Sequence, residues 1–538
     1  MKKSLLFFVF IISFSGYSQE DAWVYFKDKP NSQFYFDNPL EMLSQRSLDR
    51  RIAFSIPLDS KDVPIHAPYV NQLIAFPGID VKAKSKWFNA VHVRGAISDI
   101  DALTNLSFVD HIQFANAALN QANRVSKIVQ NQAVNKILDT NVVFAYGNSG
   151  NQIQMLNGQV LHEQEITGTG KIIAVMDAGF PGVTTAAPFQ RLLDNNQILG
   201  GYNFVDRNDN FYTGNSHGTL VLSTMGGYVE NELVGTAPDS GYYLFITEDA
   251  GSETPLEESN WVEAAEVADS LGVDIISTSL GYFEYDNPSY SYTYADMNGT
   301  TSFISKGADI AFSRGMICVA SAGNSGNSAN PHIAVPSDAI NTLAIGAVKF
   351  DETYATFSSI GPSFDGRVKP DVMAQGQSSV LSTPTGDITT GSGTSFSGPI
   401  MAGMIASFWQ AIPWANNAAV IQFVKQSADR FSNPNEEFGY GIPDFQIALN
   451  MALLSVNEVR KQDFTLFPNP VNTTLTINSK EPYLGSKIFL YNNLGQIVFQ
   501  QDINAISQNI SLEHLNSGIY FYTIQSENKT QKGKIIKR

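Results

Sequence analysis

The chain has 538 residues, 43% of them hydrophobic, and 34 basic against 51 acidic side chains give a formal net charge of −17. A chain of this length exceeds one ordinary hydrophobic core, so we expect two to four domains of globular rather than disordered composition. The acidic balance argues against a nucleic-acid partner, because phosphate backbones are bound by basic surfaces.

The N-terminus predicts a secretory signal peptide over residues 1–18. Two lysines precede an apolar stretch at residues 4–15, and small residues follow before Gln19. The apolar stretch is well short of the roughly 20 residues that span a bilayer, so we expect no transmembrane anchor. The protein is therefore expected to be secreted, extracellular or on the outer cell surface. Its single cysteine, Cys318, excludes an intramolecular disulfide and lies in an apolar stretch typical of a buried strand.

Residues 19–120 predict a small α/β domain. Its pattern indicates strands at residues 22–26, 80–84, 90–93 and 108–114, and helices at 39–50 and 98–106. This order is typical of a split α/β sandwich. An independent binding domain is one interpretation of such a segment. Residues 121–160 are predicted to form a linker.

Residues 161–454 alternate buried strands with helices, which predicts a doubly wound, mainly parallel α/β sheet. The pattern indicates strands at 171–176, 272–279, 315–320 and 342–347, and helices at 220–227, 261–271 and 398–410. Ligands in such sheets bind beyond the carboxyl ends of the strands. A glycine pair at 168 and 170 precedes the first strand, but the third glycine of a dinucleotide-binding loop is missing.

The sequence pattern changes after residue 454. A polar linker is predicted over residues 455–463, followed by a small β-sandwich over residues 464–538. Short strands are indicated at residues 473–477, 486–491, 496–500, 509–512 and 519–525. A carbohydrate-binding or surface-binding sandwich is one interpretation of this domain.

Three short motifs carry the chemistry: Asp177 after an apolar strand, His217 in Asn-Ser-His-Gly-Thr, and Ser395 in Gly-Thr-Ser-Phe-Ser-Gly-Pro. A serine hydroxyl becomes a nucleophile when an imidazole takes its proton, and a carboxylate fixes the tautomer of that imidazole. Asn324, in Ser-Ala-Gly-Asn-Ser-Gly, offers a side-chain amide to an oxyanion. A capping serine and a turn asparagine are the structural alternatives for Ser395 and Asn324.

In this chain order the motifs resemble those of the subtilisin-like serine peptidases of the S8 family, over about residues 168–449. The resemblance implies a secreted endopeptidase that acts on polypeptide substrates through an acyl-enzyme. It also implies that residues 19–120 are a propeptide, removed within or near residues 116–145. The backbone walls of the substrate pocket that it implies are formed by Ser279, Leu280, Gly281, Ser321, Ala322 and Gly323. Ala178 departs from the family, which more often has Thr or Ser after the aspartate.

The C-terminal domain resembles the sorting domain of the type IX secretion system of Bacteroidetes. The resemblance rests on Phe-Pro-Asn-Pro at residues 467–470, Tyr-Asn-Asn-Leu-Gly at 491–495, Ser-Gly-Ile-Tyr at 517–520 and a basic C-terminus. It implies that the type IX secretion machinery is a partner of this chain and that export crosses an outer membrane.

Catalysis of this type needs no cofactor, although the family resemblance allows structural calcium. Oxygen-bearing side chains stand at every second position of one loop, as in a calcium-binding loop: Asp206, Asn208 and Asn210. This loop lacks the central glycine and the distal glutamate of such a site. A solvated turn is the alternative, and we assign no metal ligand.

Two other functions remain as alternatives to a peptidase. The first is a catalytically silent surface-binding or adhesion protein on a peptidase fold. The second is an esterase or lipase, which the absence of a Gly-x-Ser-x-Gly motif at Ser395 disfavours.

Overall fold

The computed structural model describes residues 19–120, 144–458, 464–479, 486–492, 496–526 and 529–538. It divides into two units, Met1–Leu454 and Ser455–Arg538. The predicted signal peptide, residues 121–143 of the first predicted linker and residues 459–463 of the second lie outside the described residues.

The N-terminal domain is an antiparallel sheet of order β2-β3-β1-β4 with helices on it. Its strands are β1 (Gln19–Phe26), β2 (Ile79–Ser85), β3 (Ala90–Ala96) and β4 (Val109–Phe114), which confirms the predicted strands. Its helices are α1 (Ser32–Asp37), α2 (Gln45–Ala53), α3 (Ala67–Ile74) and α4 (Ile97–Ala102).

The predicted helix over residues 39–50 is wrong at its start. Pro39–Glu41 form a separate 3₁₀ turn, and α2 begins at Gln45 because the Ser44 side chain accepts a hydrogen bond from the Ser47 N–H. A side chain that satisfies one of the free N–H groups of a first turn fixes where a helix starts.

The second domain is built on a seven-stranded sheet of order β13-β12-β11-β10-β5-β9-β6, in which neighbouring strands run parallel. This confirms the predicted doubly wound α/β class. The strands are β5 (Ile172–Asp177), β6 (Ile198–Asn203), β9 (Gly241–Ile246), β10 (Ile275–Thr278), β11 (Ile317–Ser321), β12 (Leu343–Val348) and β13 (Val372–Gln375). Two hairpins lie outside the sheet: β7 (Tyr228–Val229) with β8 (Leu233–Val234), and β14 (Ser379–Ser382) with β15 (Ile388–Gly391).

Helices cover both faces of this sheet, and successive side chains of β5 enter different cores because side chains alternate along a strand. Ile173 and Val175 join the core that includes α8 and α11, and Ala174 and Met176 join the core that includes α9 and α10. The helices within residues 144–458 are α5 (Gly150–Gln154), α6 (Gln159–His162), α7 (Gln190–Asp194), α8 (His217–Gly226), α9 (Pro255–Leu271), α10 (Phe303–Ser313), α11 (Thr394–Ala411), α12 (Asn417–Gln426) and α13 (Phe445–Glu458).

The two units divide after Leu454, the predicted end of the second domain, and parts of both predicted linkers form helices. Ile153 and Leu156 are fully buried in the core that contains β5, so residues 144–160 are part of this domain. Helix α13 continues to Glu458, four residues beyond the predicted end of the domain at 454. The prediction for Cys318 is confirmed, since it lies in β11 and is 2% exposed.

The N-terminal domain docks on helix α9 of the second domain. Glu266 of α9 accepts hydrogen bonds from the N–H groups of Lys86 and Trp87, at 2.8 and 2.9 Å. At the C-terminal end of α9, Asp269 is fully buried and its carboxylate contacts Arg50 at 2.6 Å and Arg51 at 2.8 Å. Two guanidinium groups from α2 therefore meet one buried carboxylate at this interface.

The C-terminal unit consists of antiparallel strands in two sheets, of order β16-β17-β20 and β19-β18-β21-β22. The described strands are β16 (Phe464–Phe467), β17 (Thr474–Ser479), β18 (Ser486–Tyr491), β19 (Ile497–Ile503), β20 (Ser507–Ser511), β21 (Gly518–Ser526) and β22 (Lys529–Lys537). Leu475 and Ile477 of one sheet share a core with Ile488 and Ile524 of the other, as in a β-sandwich. Among the described residues, no helix has the length and apolar character that crossing a membrane requires.

Candidate active site

The parallel sheet brings the predicted site residues to one edge. Strand β5 ends at Asp177, β10 ends one residue before Ser279, and β11 ends three residues before Asn324. Helices α8 and α11 begin at His217 and Thr394, beside the same strand ends. Carboxyl ends of strands and N-termini of helices meet at one edge of such a sheet, which is where ligands bind.

Asp177 and His217 are in direct contact. The Asp177 side chain is fully buried, and its Oδ1 lies 2.8 Å from His217 Nδ1 and accepts the Ala178 N–H at 2.8 Å. Its other oxygen, Oδ2, has no hydrogen-bond partner in the described part of the chain. The charge of Asp177 raises the pKa of His217 above its ordinary value of 6.5, against the opposing effect of burial.

The backbone around His217 is fixed by close packing. The His217 N–H donates to Asn215 Oδ1 at 2.9 Å, and the Asn215 N–H donates to the Ala178 carbonyl at 2.9 Å. A β-carbon on Gly218 would lie 2.5 Å from the Gly179 carbonyl oxygen, too close for any side chain. The glycine after His217 is therefore what allows α8 to approach the end of β5.

Ser395 lies in the first turn of α11, which begins at Thr394, four residues before the predicted helix start at 398. Its hydroxyl donates to the Ser279 carbonyl at 3.3 Å. Among the described residues it makes no hydrogen bond with His217. The structure therefore brings Asp177 and His217 into contact, while the Ser395 hydroxyl is directed to Ser279. The free N–H groups and positive dipole end of a helix N-terminus favour negative charge near Ser395.

Asn324 presents its amide nitrogen beside Ser395. Its Oδ1 accepts hydrogen bonds from Thr394 N at 2.8 Å and Thr394 Oγ1 at 3.0 Å, which turns Nδ2 away from Thr394. A β-carbon placed on Gly393 would lie 3.6 Å from Asn324 Nδ2 and 3.7 Å from Ser395 N. Glycine at this position therefore leaves open the space next to two N–H donors.

A cleft of about 480 Å³ lies beside Ser395 and Asn324. The residues predicted to wall the substrate pocket contribute Ser279, Leu280, Gly281, Ser321 and Gly323 to its lining. Ala322 does not line the cleft, because it is fully buried beneath it. The prediction concerns the backbone of residues 321–323, so the wall role of Ala322 stays a prediction.

A second cavity of about 310 Å³ lies on the His217 side of Ser279 and Leu280. Its lining includes Glu248, Asp249, Glu253 and Glu257, none of which the sequence analysis singled out. These residues belong to the loop and first helical turn between β9 and α9, where five acidic residues occur within residues 248–258. That density of acidic residues is the signal that could have identified them.

The loop considered for calcium makes hydrogen bonds of its own. Asp206 Oδ2 accepts from Asn203 Nδ2 at 2.9 Å, and Asn208 Oδ1 accepts from the Asn210 N–H at 2.8 Å. These are the bonds of a polar turn, and calcium binding there stays a prediction.

The sequence profile of the subtilase family matches residues 168–441. The profile of the Bacteroidota peptidase S8 propeptide domain matches residues 21–133, and that of the secretion system C-terminal sorting domain matches residues 465–538.

Among curated relatives, subtilisin NAT of Bacillus subtilis subsp. natto is 30% identical over 301 residues, which cover 55% of this chain and 70% of the relative. Subtilisin DY of Bacillus licheniformis is 28% identical over 292 residues, covering 54% of this chain and 93% of the relative. The similarity therefore spans the domain that carries the four site residues.

Proposed function

Because this chain belongs to the subtilase family and is a secreted serine endopeptidase, we propose that it hydrolyses peptide bonds through an acyl-enzyme on Ser395. The observation that carries the proposal is the contact of 2.8 Å between Asp177 Oδ1 and His217 Nδ1, next to a serine at a helix N-terminus. This contact holds the imidazole with its other nitrogen, Nε2, available as an acceptor.

In the first step, the Ser395 side chain rotates from the Ser279 carbonyl toward His217 Nε2. His217 takes the hydroxyl proton while Ser395 Oγ attacks the substrate carbonyl, and Asp177 stabilises the imidazolium that forms. His217 then protonates the leaving amine. Water hydrolyses the ester by the reverse sequence, with His217 again acting first as base and then as acid.

The oxyanion of each tetrahedral intermediate is stabilised by Asn324 Nδ2 and the Ser395 N–H. Both donors border the open space at Gly393, and preorganised donors of this kind stabilise charge that develops only in the transition state. No step of this sequence needs a metal ion or another cofactor. Structural calcium remains a separate proposal, without an assigned ligand.

The type IX sorting domain implies that the secretion machinery handles this chain during export. We infer that the polypeptides it cleaves are met outside the cell. We also infer that the enzyme removes its own N-terminal domain within or near residues 116–145, so the Ser395→Ala chain should be secreted with that domain still attached. Clipping of that variant at the same position would assign the cut to another peptidase.

The proposal is tested by labelling the secreted, processed protein with a serine-directed fluorophosphonate and mapping the adduct by mass spectrometry. We expect one adduct, on Ser395, and its loss in Ser395→Ala. Ser397→Ala is the matched control, because this residue lies two positions along the same helix and its hydroxyl donates, within the described residues, only to the Thr394 carbonyl. If folded, processed protein takes no adduct, the nucleophile is not activated, and the silent binding protein becomes the better interpretation.

A further inference from the structure

The cavity beside His217 is bordered by a loop that is rich in acidic residues. We call residues 247–254, which connect β9 to α9, the acidic loop. Glu253 of this loop lines both the cleft beside Ser395 and the cavity beside His217, so it lies where the two meet over Ser279 and Leu280. A substrate passing across His217 must therefore pass Glu253.

The carboxylate of Glu253 has no hydrogen bond and no salt bridge within the described residues, although its backbone N–H donates to Asp286 Oδ2 at 3.0 Å. Burial and the nearby charge of Asp286 raise the pKa of Glu253. A partly buried carboxylate without a partner is costly to ionise, and a cation placed beside it would relieve that cost.

Glu248 provides a second and independent indication of a ligand. It is 8% exposed and lines the cavity beside His217. Its Oε1 accepts hydrogen bonds from the hydroxyls of Tyr282 and Thr247, while its Oε2 has no partner in the described part of the chain. A buried carboxyl group that is held by one oxygen keeps the other available to a hydrogen-bond donor from the cavity.

The carboxylates around this cavity also repel one another. Burial and neighbouring carboxylates raise the pKa of Glu248 to about 8 and that of Glu257 to about 9. Glu257 is already engaged, since its two oxygens accept the N–H groups of Thr254 and Asp249. None of the largest causes of these shifts is a described lysine or arginine. Within the described residues, the Glu253 carboxylate therefore has neither a cationic nor a donor partner, and Glu248 keeps one oxygen, Oε2, without a donor.

The position of a matching substrate residue follows from the geometry of an extended peptide. Successive side chains of a β-strand point to opposite sides. If the side chain of the scissile residue enters the larger cleft, the residue immediately before it directs its side chain to the His217 side. That residue faces Glu253 and Glu248.

We propose that this enzyme prefers substrates with lysine or arginine immediately before the scissile residue, its cation pairing with Glu253 and donating to Glu248. The inference rests on the proposed peptidase function and adds the substrate class. It concerns binding energy at one position, so it predicts a change in selectivity rather than in the chemical step.

The test compares two fluorogenic peptides that differ only at that position, with lysine in one and norleucine in the other. For the processed wild-type enzyme we expect kcat/KM to be about 10–100-fold higher for the lysine peptide, as for a charge-assisted hydrogen bond. Glu253→Gln should reduce that ratio to near one, and Glu253→Lys should invert the preference when glutamate replaces lysine in the peptide. Glu232→Gln is the control, because this exposed acidic residue lies outside both cavities and should keep the wild-type ratio.

The outcomes separate the two proposals. Cleavage of both peptides at equal kcat/KM by the wild-type enzyme would overturn the substrate preference and leave the peptidase function intact. A preference found at the scissile residue instead would also overturn it and point to Glu284, which lines the larger cleft. Failure to cleave either peptide, without a fluorophosphonate adduct on Ser395, would overturn the peptidase function and with it this inference.

Discussion

Ser279 and Ser395 exchange two hydrogen bonds: Ser279 Oγ donates to the Ser395 carbonyl at 3.0 Å, and Ser395 Oγ donates to the Ser279 carbonyl at 3.3 Å. Pro399 makes the first bond possible. In a regular helix the N–H of residue 399 would donate to the Ser395 carbonyl, but proline has no N–H. Because Pro399 has no N–H, the Ser395 carbonyl is free to accept the hydrogen bond from Ser279 Oγ. Ser279 lies at the edge of the substrate pocket, and this bond positions the first turn of α11.

The Ser279→Ala variant should therefore lower kcat by about 2–10-fold, which corresponds to the loss of one neutral hydrogen bond. Ser279→Thr keeps the hydroxyl and is the matched control. The measurement is kcat and KM on one fluorogenic peptide. A change in KM alone would show that Ser279 acts only on substrate binding and does not position Ser395.

The raised pKa of His217 predicts the pH dependence of activity. Catalysis needs the neutral imidazole, so the acidic limb of kcat/KM should have its midpoint above 6.5. The contact between protonated His217 and Asp177 also stabilises the folded state. This contribution is complete below pH 6.5 and is lost as the pH rises through the folded-state pKa of His217.

The cause of this shift can be tested separately from the rate. In a Ser395→Ala background, Asp177→Asn should lower the pKa of His217 measured by histidine NMR, with His217→Gln used to assign the signal. In the active background, Asp177→Asn should lower kcat by about 10⁴-fold. An unchanged pKa in Asp177→Asn would show that Asp177 is not its cause.

Asn324→Ala should lower kcat by about 10²–10³-fold with little change in KM, because the Nδ2 donor acts on the oxyanion and not on the bound substrate. Asn327→Ala is the control, since Asn327 lies in the same loop, is exposed and does not line the cleft. An effect on KM of the same size as that on kcat would contradict the oxyanion role.

The sequence predicted the parts of the fold that depend on local pattern. Buried apolar runs identified β5, β10, β11 and β12, and the motifs identified the four site residues, because each follows a strand or begins a helix. Strand β9 was missed, although it lies beside β5 in the sheet.

What was missed depends on three-dimensional neighbours. The start of α2 is set by the Ser44 cap and not by the apolar spacing. The partnerless state of Glu253 depends on which cations the fold brings near, and neither of these can be read from spacing along the chain.

We expect the substitution Ala178→Thr to stabilise the folded protein. In the part of the chain that the structure describes, the buried Asp177 Oδ2 has no hydrogen-bond partner, and a buried acceptor left unpaired costs about 1–3 kcal/mol. Ala178→Thr places a hydroxyl one residue away and should raise the free energy of unfolding by about 1 kcal/mol relative to Ala178→Val, which has the same shape without the donor. Thermal unfolding of the Ser395→Ala chain measures the difference. Equal melting temperatures for the two variants would mean that the hydroxyl does not reach Oδ2.

The contact of Asp269 with Arg50 and Arg51 predicts how firmly the propeptide is retained after cleavage. Burial alone would raise the pKa of Asp269, but the two guanidinium groups outweigh it and hold that pKa below its ordinary value of 3.8. The carboxylate is therefore charged throughout the neutral and mildly acidic range. Its stabilising contribution is lost only as the pH falls below 3.8, through the folded-state pKa. Mild acid should not release the propeptide at this contact.

Removing the carboxylate should release it. Asp269→Asn leaves the buried Arg50 guanidinium without its anion and leaves Arg51 paired with Asp62 alone. The loss costs about 3–5 kcal/mol and should speed separation of the cleaved propeptide by about 10²–10⁴-fold. Asp110→Asn is the control, because Asp110 pairs with His111 on the exposed surface of the same domain, where an ion pair contributes at most about 1 kcal/mol. The separation is followed by size-exclusion chromatography of chains that have processed themselves, so unfolded protein is not counted. Wild-type retention in Asp269→Asn would show that the packing on α9, rather than the ionic contact, holds the propeptide.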